Sequence, residues 1–150
     1  ELNINYDWRQ VNNSLSLKKG TLRGPHIQCQ PNPEAKLVRC INGKIWDVII
    51  DLRLKSETFG SWFGFELSSK SRQMIFIPEG FAHGMLALED NSEVIYFSSS
   101  YYSQKDEICI SWNDAKISIS WPIDPIYMSS KEESGLDFDE VKKRLKRNEI

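Results

Sequence analysis

Short apolar segments with alternating polar positions follow one another along most of the chain. Turn-forming residues interrupt them about every 8 to 12 positions, a spacing typical of antiparallel strands. Seven of the predicted strands cover residues 14–18, 61–67, 72–77, 84–88, 93–98, 108–112 and 117–121. Many short strands without intervening helices predict an all-β sandwich or barrel.

The clearest predicted hairpin joins two apolar segments through Asn42 and Gly43. Residues 36–41 lead into this pair, and residues 44–53 lead out of it. Because Asn-Gly tolerates the positive φ angles of a type I′ turn, we expect the two segments to pair as antiparallel neighbours. Residues 29–35 contain two prolines, which remove backbone donors, and are predicted to form a loop.

Helical periodicity is confined to the C-terminus, where Phe138, Val141 and Leu145 recur at helical spacing. Lysines and arginines follow where they complement a helix C-terminus, and we interpret this segment as a solvated surface helix. The preceding Ser- and Glu-rich stretch suggests a linker. We therefore predict a β-barrel domain over residues 1–128 and a C-terminal segment with a helix over residues 129–150.

Charge and apolar run lengths exclude several function classes. The 19 Lys and Arg residues against 21 Asp and Glu residues give a net charge of −2, which disfavours a nucleic-acid-binding protein. No apolar run approaches the roughly 20 residues that a bilayer-spanning helix needs. Residues 1–5 lack the features of a signal peptide. Since the sequence begins without Met, we expect that it has been trimmed.

Three cysteines, Cys29, Cys40 and Cys109, form an odd number without CxxC spacing. This pattern argues against both a disulfide framework and a zinc knuckle. We interpret the cysteines as small hydrophobic residues in strands, and we expect a reducing, cytoplasmic setting.

The two histidines are the candidates for a general base near neutral pH. His26 follows Gly24 and Pro25, which suggest a bulge or strand edge that exposes the imidazole. His83 ends a PxGxxH motif that starts at Pro78 and resembles the second conserved box of the cupin barrels. Metal-binding cupins also need an HxH with a following Glu, which His26 lacks, so we expect no metal site.

Taken together, the motifs resemble the dTDP-4-dehydrorhamnose 3,5-epimerases of nucleotide-sugar metabolism, which are cofactor-free cupin-type barrels. The resemblance runs in order through residues 19–28, 36–39, 47–53, 72–73, 77–84, 101–102, 112–114 and 119–122. It implies an all-β, cupin-type antiparallel barrel or jelly roll with a short C-terminal helix. It also implies a cytoplasmic homodimer that binds a nucleotide-sugar and needs no cofactor.

The resemblance implies four catalytic positions. His26 occupies the place of the base, Tyr96 that of the proton donor on the opposite sugar face, and Lys36 that of the lysine near the 4-keto oxygen. Glu132 stands where the family has the Asp that pairs with the base. The implied substrate-binding residues are Arg23, Gln28, Asn12, Asn13, His83, Tyr102, Glu107 and Lys131. Chemically, removing a proton next to a ketone needs a neutral imidazole and a group that stabilises the enolate oxygen.

Three departures from the family pattern accompany this resemblance. Pro25 stands where the family usually has Leu, Glu132 is one methylene longer than the family's Asp, and the family's N-terminal segment would precede residue 1. The sequence therefore predicts an epimerase acting at C3, C5 or both of a nucleotide-linked 4-keto-6-deoxy sugar. Two alternatives stay open, a non-catalytic cupin that binds a nucleotide-sugar and a cupin 3,4-ketoisomerase.

Overall fold

The computed structural model describes residues 4–148, so the outermost residues of both predicted segments lie outside it. Within this range the chain forms nine strands and two α-helices. The strands are β1 (Gln10–Ser16), β2 (Leu22–Gln28), β3 (Lys36–Asn42), β4 (Lys44–Asp51), β5 (Trp62–Ser68), β6 (Met74–Ile77), β7 (Phe81–Ala87), β8 (Ser92–Ser98) and β9 (Glu107–Cys109). The helices are α1 (Ser130–Glu133) and α2 (Phe138–Asn148).

The strands form two antiparallel sheets. Sheet I has the order β1-β8-β3-β6, and sheet II has the order β5-β4-β7-β2-β9. The two sheets stack through one hydrophobic cluster to which both contribute, with Val38 and Val94 from sheet I and Ile45 and Leu67 from sheet II. This architecture confirms the predicted all-β class of cupin type.

A second hydrophobic cluster lies on the other face of sheet II. It joins strand residues such as Val48 and Ile50 to Val141 and Leu145 of α2. Val141 is fully buried, so the interpretation of this segment as a solvated surface helix is correct only for its charged side. The C-terminal helix thus covers sheet II and contributes to the core.

The predicted hairpin through Asn42 and Gly43 is wrong. β3 pairs with β6 and β8 in sheet I, whereas β4 pairs with β5 and β7 in sheet II. Gly43 does have the positive φ of 69° that the turn signal indicated. The turn residues fix only local geometry, however, and β4 must bury Ile45 in one cluster and Val48 in the other. A central position in sheet II satisfies both faces of β4.

The predicted strand over residues 117–121 is also wrong, and these residues form a loop. The Asp114 carboxylate accepts hydrogen bonds from the backbone N–H groups of Lys116, Ile117 and Phe138, at 2.8 to 3.0 Å. These local bonds satisfy donors that a strand would give to a neighbouring ladder. Of the predicted strand 108–112 only residues 108 and 109 belong to a strand, β9, whereas the loop over residues 29–35 is confirmed throughout.

Candidate active site

A cavity of about 700 Å³ opens between the inner faces of the two sheets. The segment around α1 closes one side of it. Ten of the twelve predicted site residues line this cavity: Asn12, Arg23, His26, Lys36, His83, Tyr96, Tyr102, Glu107, Lys131 and Glu132. Residues that are distant in the sequence therefore converge on one space.

An extra residue in β2 turns His26 into the cavity. In the β2–β7 ladder Arg23 pairs with Met85 and His26 pairs with His83, so three steps on β2 match two on β7. Without this bulge, side chains three residues apart would face opposite sides of the sheet. Gly24 within the bulge has φ +77°, and a Cβ there would lie 2.5 Å from the His83 carbonyl oxygen. The predicted bulge is confirmed.

His26 and Glu132 form a partly buried pair. Nε2 of His26 lies 3.1 Å from Oε1 of Glu132, whose side chain is 7% exposed. The carboxylate also accepts bonds from the backbone N–H groups of Gly24 and Ser129 and from the Ser129 hydroxyl. Burial opposes ionisation of Glu132, but contacts with His26, Ser129 and Gly24 outweigh it and hold the pKa of this carboxyl well below its usual range. An ionised Glu132 favours a proton on Nε2 and leaves Nδ1 as the basic nitrogen.

The other ring nitrogen of His26 faces a second carboxylate. Nδ1 lies 3.6 Å from Oε1 of Glu107. Lys131 Nζ donates to both Glu107 oxygens at 3.0 and 2.8 Å, and the Tyr102 hydroxyl donates to Oε2 at 3.0 Å. Burial opposes the charge of Lys131, but its bonds to Glu107 outweigh this effect and raise the pKa of the ammonium. Glu107 is thus fixed at the cavity rim beside the base.

Sheet I supplies the groups that face His26 from across the cavity. Tyr96 lies on β8 next to Asn12 of β1, and Lys36 lies on β3. Burial, followed by the negative charge of Glu34, raises the pKa of the Tyr96 phenol above its ordinary value of 10.0. The phenol is therefore protonated at neutral pH and can act as a proton donor. His26 and Tyr96 thus lie on opposite sheets.

His83 contacts a buried aspartate. Its Nε2 lies 2.9 Å from Oδ2 of Asp47, which is fully buried, while the His83 side chain is 9% exposed at the cavity wall. This contact fixes the imidazole ring next to His26 on the adjacent strand. Asp47 alternates with apolar neighbours in its strand, so its sequence context alone did not indicate this role.

Two predicted site residues lie outside the cavity. Asn13 is exposed on the other face of β1, where it donates to Glu93 at 2.8 Å. Gln28 is buried and bonds to the backbone of Asn32, Tyr101 and Ser103. Both side chains hold structure rather than face the ligand space.

The sequence interpretation missed several cavity residues, including Gln10, Glu34 and Tyr127. It also missed α1, which it assigned to a linker. A signal for α1 was present, because Ser129 and Glu132 have the S-x-x-E spacing of a capping box and form one in the structure. Ser129, the N-cap residue of α1, thus also holds the Glu132 carboxylate that pairs with His26.

Residues 4–148 contain no cluster of three or more His, Cys, Asp or Glu side chains arranged to hold a metal ion. The same range contains no helix that is long and apolar enough to cross a membrane.

The cupin-type fold gathers a histidine–carboxylate pair, a phenol and an ammonium around one cavity, and these are the kinds of group that an isomerase of the acid–base class uses. A family model described as dTDP-4-dehydrorhamnose 3,5-epimerase matches residues 1–140, and the chain belongs to this family. The enzyme of that name from Shigella flexneri is 43% identical over 129 residues, covering 86% of this chain and 71% of the relative. The Salmonella typhimurium enzyme is 47% identical, covering 75% of this chain and 61% of the relative.

Solved structures of epimerases are similar to this chain. A Legionella pneumophila epimerase in complex with dTDP-4-keto-L-rhamnose has a TM-score of 0.89 at 35% identity, covering 95% of this chain and 75% of that one. A 3'-monoepimerase from Streptomyces bikiniensis in complex with dTDP-quinovose has a TM-score of 0.81 at 26% identity, covering 95% and 79%. The chain thus spans about three fifths to four fifths of the length of these four proteins.

Proposed function

We propose that the protein epimerises C3, C5 or both of a dTDP-linked 4-keto-6-deoxy sugar. The observation that carries this proposal is the placement of His26 on sheet II opposite Tyr96 and Lys36 on sheet I, around one cavity. Inversion of a carbon requires that a proton leave from one face and return to the other. A base and an acid on opposite walls match that requirement.

In the proposed reaction His26 removes the proton from the carbon next to the ketone. The electron pair of the broken C–H bond moves into an enolate, and Nδ1 of His26 takes the proton. Glu132 orients the ring and stabilises the imidazolium that forms. The Lys36 ammonium stabilises the negative charge on the enolate oxygen.

Tyr96 then donates its hydroxyl proton to the opposite face of the same carbon, which completes the inversion. The tyrosinate regains a proton from solvent, and His26 releases its own, so protons balance over a cycle. These acid–base steps need no cofactor. Arg23, Tyr102 and Lys131 are proposed to hold the nucleotide diphosphate, and Glu107 is proposed to orient Tyr102 and Lys131 for this contact.

In the first experiment dTDP-4-dehydro-6-deoxyglucose is incubated with the protein in deuterated buffer, and its H3 and H5 signals are recorded over time by proton NMR. We expect the H3 signal, the H5 signal or both to disappear, because the enolate returns with deuterium at each carbon that His26 deprotonates. Loss of both identifies a double epimerase, and loss of one names the inverted carbon. Binding without exchange would favour a non-catalytic nucleotide-sugar-binding protein, and movement of the keto group to C3 would identify a ketoisomerase.

We also propose that the protein is a homodimer that pairs through the outer face of sheet I. Val11, Leu15 and Met74 on this face are 57%, 47% and 43% exposed, respectively. Arg39 Nε is buried there and has no hydrogen-bond partner within residues 4–148. The helix α2 covers the outer face of sheet II but not the outer face of sheet I. An exposed apolar sheet face of this kind is typical of subunit interfaces. We also propose a cytoplasmic location. The free thiols of Cys40 and Cys109 are consistent with it, because cysteines stay reduced in the cytoplasm.

The dimer is tested with Val11→Glu, which places a charge on edge strand β1 within the proposed interface. We expect sedimentation velocity to show a dimer for the wild type and a monomer for the variant, because an unpaired charge is costly to bury. Tyr101→Glu is the matched control, since Tyr101 is 68% exposed in a loop and lies outside sheet I. A monomeric wild type, or a dimer that survives Val11→Glu, would contradict this interface.

A further inference from the structure

Glu34 is a cavity residue with no part in the mechanism described so far. It precedes β3, and its side chain is 15% exposed. Oε1 of Glu34 lies 2.5 Å from Lys36 Nζ, and Oε2 accepts a hydrogen bond from the Ser98 hydroxyl at 2.6 Å. Both carboxylate oxygens are therefore engaged, one by the ammonium and one by a buried residue of β8.

We propose that Glu34 is a positioning residue that holds the Lys36 ammonium in the cavity, as Glu132 holds His26 on the opposite sheet. The inference rests on the proposed function, since it assigns Lys36 to the enolate oxygen. His26 and Lys36 then each have a carboxylate partner, and each of these two carboxylates is anchored by a serine. Ser98 anchors Glu34, and Ser129 anchors Glu132.

The burial of Lys36 explains why it needs this partner. Its side chain is 11% exposed, and a buried ammonium without a counter-charge is strongly disfavoured. The lysine side chain has four rotatable bonds, so a free ammonium would sample several positions. Contact with Glu34 takes one of its three N–H donors and leaves two for a substrate oxygen. Stabilisation of an enolate depends on donors that are in place before the charge develops.

Glu34 also acts on the proton donor. The titratable groups around Tyr96 that affect it are Glu34, Arg23 on β2, Glu107 on β9 and Lys131 on α1. The neighbouring residue on β1, Asn12, does not titrate. After burial, the charge of Glu34 contributes most to raising the pKa of Tyr96. Removing this charge lowers that pKa, so the phenol would lose its proton at a lower pH.

The test compares Glu34→Ala and Glu34→Gln in the exchange assay, with Glu66→Gln as the matched control. Glu66 forms a similar pair with Lys44 at 3.1 Å but lies outside the cavity, so this variant should equal the wild type. We expect Glu34→Ala to lower kcat about 100-fold while KM changes less than about threefold, because the nucleotide contacts remain. The side-chain amide in Glu34→Gln still accepts a hydrogen bond from Lys36, so we expect kcat of this variant to fall no more than about tenfold.

The pH dependence of kcat distinguishes a positioning role of Glu34 from a merely structural one. For Glu34→Gln we expect the alkaline limb of kcat to move to lower pH, since the Tyr96 phenol ionises more readily. The proposal would be overturned if Glu34→Ala kept the wild-type kcat, or if only its KM changed. It would also be overturned if the alkaline limb of Glu34→Gln did not move. Thermal unfolding of each variant shows whether a loss of activity reflects a loss of fold.

A measurement that does not depend on catalysis tests the positioning role of Glu34 independently of the proposed epimerase function. The order of the Lys36 ammonium is measured by ¹⁵N NMR of the lysine side chains in the wild type and in Glu34→Ala. We expect a single ordered signal in the wild type and an averaged, mobile signal in the variant. Equal order in both would overturn the positioning role, whereas a wild type without exchange would overturn only the proposed function.

Discussion

Replacing His26 with alanine is expected to reduce deuterium uptake at C3 and C5 about 1,000-fold, because it removes the imidazole that takes the proton in the proposed reaction. Nδ1 of His26 faces the cavity rim, while Nε2 is held against the ionised Glu132. The cavity's second histidine, His83, is bound to the buried Asp47 through its Nε2. The measurement is the rate of loss of the H3 and H5 signals.

The control for this variant is retained binding of dTDP, measured by titration calorimetry, since His26 is not among the residues proposed to hold the nucleotide diphosphate. His26→Asn is the second variant, because it keeps a polar side chain of similar reach and lacks a base. Exchange at the wild-type rate in either variant would remove His26 from the role of base and leave the cavity's carboxylates as candidates.

Tyr96→Phe is expected to separate proton removal from inversion. His26 and Lys36 remain intact in this variant, so deuterium uptake should continue: the proton on His26 exchanges with the deuterated solvent, and His26 returns a deuteron to the face from which the proton left. Formation of the inverted sugar should fall about 100-fold or more, because the variant lacks the phenol that donates the proton from the opposite wall in the proposed reaction. The chemical shifts of the sugar protons that do not exchange distinguish the inverted product from substrate that has only exchanged.

Tyr101→Phe is the matched control for this experiment, because it removes the same hydroxyl from a tyrosine that is 68% exposed and outside the cavity. Its rates of exchange and inversion should equal those of the wild type. Equal loss of exchange and inversion in Tyr96→Phe would assign Tyr96 to binding instead. Unchanged inversion would show that another group or a water molecule donates the proton.

Alternation of apolar and polar residues was enough to predict most of the strands, because the two faces of a strand meet different surroundings. It failed where local side chains replaced a ladder, as Asp114 does for the loop over residues 117–121. It also failed at Asn42 and Gly43, where the turn was recognised but its strands belong to different sheets. A turn constrains four residues, whereas sheet membership is decided by the burial of whole strands.

The sequence by itself determined the all-β class, the bulge at Gly24 and Pro25, and the membership of a family whose ordered motifs cover most of the chain. Residue types and local backbone preferences carry these properties, so they can be read without a fold. Only the tertiary structure decided which residues meet. The pairing of His26 with Glu132 joins residues 106 positions apart, and the contact of Glu34 with Ser98 joins the loop before β3 to β8. Such contacts depend on the pairing of β3 with β8 and on the packing of α1 against β2, which bury charged groups together, and a buried charge needs a partner.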